Sequence, residues 1–107
     1  MTLTDAWWVL GQDPNRIFLH VQSESDKGLR LRILEKELVQ ARSIARKLLG
    51  LHHPDKNPDD IDNAKERFQI VQRALSIIEQ NTKEFREKLN KIQDDDETRT
   101  LIKIIKI

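Results

Sequence analysis

Two stretches of the chain carry apolar residues at the same alternating spacing of three and four. Leu31, Leu34, Leu38, Ala41, Ala45 and Leu48 form the first seam, within a segment from about Asp26 to Leu51 that holds no proline. Ile61, Ala64, Phe68, Val71, Leu75 and Ile78 form the second. This spacing returns a side chain to one face on every helical turn, so each stretch predicts a helix with one apolar stripe. The seams are equally long and flank a short segment, His53 to Pro58, which predicts an antiparallel helical hairpin. Counting outward from that loop pairs Leu48 with Ile61, Ala45 with Ala64, Ala41 with Phe68 and Leu31 with Ile78. Asn63 and Glu66 resemble a capping box near the start of the second long helix.

Shorter elements flank the hairpin. Thr4 or Asp5 can cap a helix through Ala6, Trp7, Trp8, Val9 and Leu10, which Gly11 can end in a left-handed conformation. Gln12 to Asn15 read as a loop, and Ile17, Leu19 and Val21 alternate with Phe18, His20 and Gln22 as a short half-buried strand would. Downstream, Asn81 or Thr82 interrupts the second seam and can cap a last helix bearing Phe85, Leu89 and Ile92. The run Asp94 to Glu97 reads as a solvated acidic linker. Leu101 to Ile107, rich in isoleucine, is open between a strand, an amphipathic turn and the start of a continuing sequence. The expected fold is all-α, a helical hairpin with short first and last helices packed on it.

Composition narrows the function. A chain of 107 residues has room for one core. With 37% apolar and 35% charged residues, three glycines and three prolines, it suits a helical bundle better than a turn-rich sheet. The 19 basic and 18 acidic side chains nearly cancel, so no overall field steers the chain to nucleic acid or to a membrane. No stretch approaches the ~20 apolar residues of a membrane span, and Met1 to Leu10 lacks the features of a signal peptide. Without cysteine there is no disulfide, thiolate nucleophile or zinc knuckle. Nucleophile elbows, phosphate-cradling glycine loops and paired metal-binding histidines are missing too. The expectation is an intracellular protein, cytoplasmic or nuclear, that is not an enzyme and needs no cofactor or metal.

Candidate chemistry gathers at the hairpin loop, His53-Pro54-Asp55-Lys56-Asn57-Pro58. Pro54 fixes its own backbone angle and disfavours helix at His53, so imidazole and carboxylate are presented in a defined relation. A stiff loop loses less entropy on docking. From Leu38 to Pro54 the charged side chains, counting histidine neutral, are Arg42, Arg46 and Lys47, a basic stripe that Lys56 extends. A second chemistry is calcium: Asp55, Asn57, Asp59 and Glu66 occupy the first, third, fifth and twelfth places of an EF-hand loop. Against it, Asp60 stands where the turn needs glycine, Asp62 where an apolar residue belongs, and Pro58 stiffens the middle.

The His53-Pro54-Asp55 loop and its flanks resemble the J-domain family of DnaJ-like co-chaperones. Arg46-Lys47-Leu48 is similar to the basic-basic-leucine step that closes the family's second helix. Phe68, Val71, Ala74, Leu75 and Ile78 follow the apolar spacing of its third, and Trp7-Trp8-Val9-Leu10-Gly11 the end of its first. Gly50 stands where the family commonly has an apolar residue, His52 where an aromatic is usual and Ala45 where a tyrosine is common. Between Gly11 and His53 lie 41 residues, more than the family places there. The resemblance therefore implies a J-domain over residues 1–93 with an insertion at about 12–30 that precedes or lengthens the second helix, followed by the linker and tail at 94–107. It implies binding to the ATP-bound form of a DnaK-class heat-shock chaperone through the basic second helix (Arg42, Arg46, Lys47), with Lys56, and through His53, Pro54 and Asp55, with stimulation of that partner's ATP hydrolysis. Client proteins would engage other regions. The alternatives are a degenerate J-like interaction domain without ATPase stimulation and the single calcium loop.

Overall fold

A computed structural model describes the backbone of residues 1–106 and the side chains of residues 1–90. It is all-helical: α1 (Leu3–Val9), α2 (Pro14–Ser23), α3 (Lys27–Leu51), a 3-10 turn (Pro54–Lys56) and α4 (Ile61–Lys106). The hairpin of α3 and α4 is antiparallel, as the two cross-helix ion pairs show. Glu35 meets Arg86 and Arg42 meets Glu79, each at 3.0 Å. Helix α1 lies mainly on α4, and α2 on α3.

The starts of α1, α2 and α3 are each capped by a short polar side chain. Thr2, two residues before the expected Thr4 and three before Asp5, forms a reciprocal capping box with Asp5. The Thr2 amide donates to the Asp5 carboxylate at 3.0 Å, which favours the ionised form and holds its pKa below the ordinary value. Helix α1 ends as expected at Gly11, whose φ of 70° is the left-handed value glycine adopts without strain. There the Gly11 amide donates to Trp8 O and the Gln12 amide to Trp7 O, the bonding of a Schellman end. Asp26 caps α3 by accepting from the Leu29 amide, so residues 31 to 37 are helical as the long seam implied.

The expected strand is a helix. Asp13 caps α2, Pro14 takes its first position, and Ile17 is fully buried while Leu19 is 67% exposed. Ile17, Phe18 and Val21 form the inward helical face that the alternation of Ile17, Leu19 and Val21 had masked. Arg16 on the same helix reaches Glu37 of α3 with two bonds, at 3.0 and 3.1 Å, and Gln12 with a third. Glu37 is buried, and its carboxylate raises the Arg16 guanidinium above its already high ordinary value.

The core joins Ala6, Trp7 and Leu10 of α1, Ile17 of α2, Leu34, Leu38, Ala41 and Ala45 of α3, and Val71, Ala74 and Ile78 of α4. Two features of α4 differ from expectation. Asp60, not Asn63, receives the first helical amide, from Ala64 at 3.0 Å, while Asn63 donates its side-chain amide to Asp60. The expected break at Asn81 or Thr82 is absent: buried Thr82 donates its hydroxyl to Ile78 O, which satisfies a polar side chain without interrupting the helix. Phe85 and Leu89 therefore continue α4. Ile92, the acidic run and residues Leu101 to Lys106 of the tail fall within the bounds of α4, but their side chains, like Ile107, lie outside the described residues.

The register also differs. Pairing outward from the loop would face Arg42 with Arg67, yet Arg42 meets Glu79 further along α4. The first turns of α4 therefore reach past the end of α3 and lie beside the loop. Ile61 is 43% exposed instead of covering Leu48, and Ala74, not Leu75, is fully buried.

Candidate functional site

The loop is built on local hydrogen bonds. Helix α3 ends at His52, whose amide donates to Leu48 O at 2.9 Å. His53 is extended, with φ −61° and ψ 132°, because the Pro54 ring disfavours helix at the residue before it. The 3-10 turn closes with the Lys56 amide on His53 O and the Asn57 amide on Pro54 O. Asn57 then ties the whole segment: its side-chain amide donates to Leu51 O and to His53 O, both at 2.9 Å. One of these carbonyls belongs to the last turn of α3, where helical partners run out.

His53 and Asp55 stand together on this frame. The Asp55 amide donates to His53 Nδ1 at 3.2 Å, and the Asp55 carboxylate lies 3.6 Å from the same nitrogen. The imidazole rests edge-on against Phe68 of α4, with ring centroids 5.7 Å apart and planes at 89°. One ring edge is thus held while the side chain stays 46% exposed, and the Asp55 side chain is 89% exposed. Phe68, expected in the seam, is partly buried and packs on the loop through His53. Asn57, expected as loop sequence and as one place of the calcium alternative, is the residue that fixes the loop; a side-chain amide just after a Pro-Asp-Lys turn is the signal that pointed there.

The structure separates the basic residues into two groups. Arg46, Lys47 and Lys56 line one open groove with Gly50 and Leu51, directly beside the loop. Arg42 stands apart, its Nε on Glu79 Oε1 at 3.0 Å, and acts across the hairpin. No group of three or more His, Cys, Asp or Glu side chains is gathered for a metal among the described residues, and no helix among them is long and apolar enough to cross a membrane. Asp55 and Asp59 accordingly do not converge with other acids as a calcium loop would require.

Comparison with known proteins gives a partial match. A stretch of 38 residues is 53% identical to the DnaJ homolog subfamily C member 5 homolog of Drosophila melanogaster. Over that stretch the chain is similar to a DnaJ homologue. The match covers 36% of this chain and 15% of the fly protein. No family model matches, and no solved structure matches.

Proposed function

We propose that the chain is a J-domain co-chaperone module that docks on the ATP-bound form of a DnaK-class heat-shock chaperone inside the cell and stimulates its ATP hydrolysis. The observation that carries this reading is the loop: an exposed His53 and Asp55, fixed relative to each other and to α4, next to the groove of Arg46, Lys47 and Lys56. The DnaJ-homologue likeness supports the same class. In this reading the chain contributes no catalytic group. The loop seats on the partner, Asp55 accepts from a partner cation, and the groove meets an acidic face.

Mutations at the loop test the reading because its side chains contribute little to the core. His53→Gln and Asp55→Asn should each change folding stability by no more than about 0.5 kcal/mol. Both should abolish stimulation of single-turnover ATP hydrolysis by a matched chaperone. Arg46→Glu with Lys47→Glu should weaken binding, and binding of the parent should fall as salt rises. If both loop variants stimulate like the parent, the ATPase role fails. If the parent binds without stimulating, the chain is a J-like interaction domain only.

A further inference from the structure

The end of the hairpin away from the loop holds two adjoining cavities that the docking reading does not use. The first, about 180 Å³, is lined by Lys27 at the start of α3 and by Phe85, Lys88 and Leu89 of α4. The second, about 230 Å³, lies against Phe18 and Val21 of α2, Leu34 of α3 and the same Phe85, with uncharged Gln22 and Asn81 as its polar lining. Phe85 is the shared wall, and Phe18, Val21, Phe85 and Leu89 are only partly buried. The fold gives no reason for a cation at Lys27, the first residue of α3, where the helix dipole disfavours one. The described residues give neither Lys27 nor Lys88 an ion-pair partner. The acids of the turn before α3 are spent on backbone amides: Glu24 accepts from Asp26 at 3.1 Å, and Asp26 from Leu29 at 3.0 Å. Among the described residues no carboxylate lines either cavity.

We propose that the two cavities form a binding site for a single-chain anionic amphiphile, a fatty carboxylate, with its head on Lys27 and Lys88 and its tail running past Phe85 toward Phe18 and Val21. Charge complementarity selects the head, since two cations without a carboxylate beside them pair with an anion. The walls select the tail. Phe18, Val21, Leu34, Phe85 and Leu89 lie inside helices, whose backbone groups bond within the helix, so an extended peptide would enter with its own amides and carbonyls unpaired. An acyl chain carries no such groups and gains with every methylene covered. Together the cavities reach the lower part of the roughly 300 to 1,000 Å³ range of small-molecule sites.

The experiment uses the full chain, as parent and as Lys27→Gln combined with Lys88→Gln. Each is melted and then titrated with sodium decanoate, below its micellar concentration, by calorimetry and amide NMR; hexanoate and decanol are titrated into the parent to probe tail and head. The double variant is expected to melt at or above the parent temperature, because both lysines are exposed and Lys27 opposes its helix dipole. It is expected to bind decanoate about tenfold more weakly than the parent does, and decanol to bind the parent about tenfold more weakly than decanoate. Decanoate should shift amides around Phe18 and Val21 together with those around Lys88, and hexanoate those around Lys88 alone. A parent without saturable binding overturns the site, as does a double variant or an alcohol that binds undiminished. Decanoate shifts confined to the groove of Arg46, Lys47 and Lys56 overturn it too, by showing adsorption to cations in general. A double variant that melts below the parent overturns it by giving the lysines a structural task.

Discussion

The two ends of the hairpin are held in different ways. At the covered end, α1 and α2 close over Leu34, Leu38 and Ile78, and a bidentate ion pair between Arg16 and buried Glu37 locks α2 onto α3. At the loop end, full burial stops at Ala45 on α3 and Ala64 on α4, and hydrogen bonds from Asn57, Lys56 and Asp55 shape the chain instead. Stability therefore lives at one end and presentation at the other. A loop that owes its form to its own backbone can expose polar groups without unfolding its support, and a support with its own core tolerates change in the loop.

The largest effect that sharpens this comparison belongs at the covered end. Ile17→Ala removes a fully buried side chain and should cost about 2 to 4 kcal/mol, read as a lower urea midpoint at unchanged slope. Chaperone stimulation by the fraction still folded should be unchanged. A matching loss of stimulation per folded molecule would mean that the two ends are coupled.

At the loop end the balance should reverse. Asn57→Ala deletes two exposed hydrogen bonds and should cost no more than about 1 kcal/mol of folding stability. It should nevertheless reduce single-turnover stimulation severely, because the turn is no longer pinned to the end of α3. A variant that melts normally and stimulates normally would show that Asn57 is dispensable for presentation.

The smallest effect concerns α1 and acid. Asp5 has a folded pKa below its ordinary value, so its contribution is present above the unfolded value and is lost as pH falls through the folded one. Below the usual carboxylate range α1 should fray, seen as a change in Trp7 fluorescence before the hairpin melts. Asp5→Asn should remove that early phase while the main transition stays.

The hairpin was legible because its seams repeat over many turns, and the loop because Pro54 constrains it locally. Helix α2 was not, since Ile17, Leu19 and Val21 satisfy a strand alternation while Ile17, Phe18 and Val21 equally satisfy a helical face; the Asp13-Pro14 start, a capping residue followed by proline at the first helical position, was the deciding signal. The register was misread because symmetric counting treats the loop as a point. The segment from His52 to Asp60 takes up length along α4 and slides the seams past each other. Thr82 looked like a stop because its bond to Ile78 O is invisible in the sequence. The Arg16 to Glu37 pair, 21 residues apart, carries no local signature at all. Arg42 shares the helical face of the basic stripe, and its ion pair with Glu79 across the hairpin, 37 residues away, carries no local signature either.

The bond from the Asp55 amide to His53 Nδ1 has a chemical consequence for whatever meets the loop. A nitrogen that accepts cannot also carry the proton, so the neutral imidazole is held in the tautomer protonated at Nε2. The loop then offers one N–H from His53 and lone pairs from the Asp55 carboxylate, in fixed order along the chain. Its complement needs an acceptor for the first and a donor for the second. A surface of cations alone would answer the carboxylate and leave the imidazole N–H without a match.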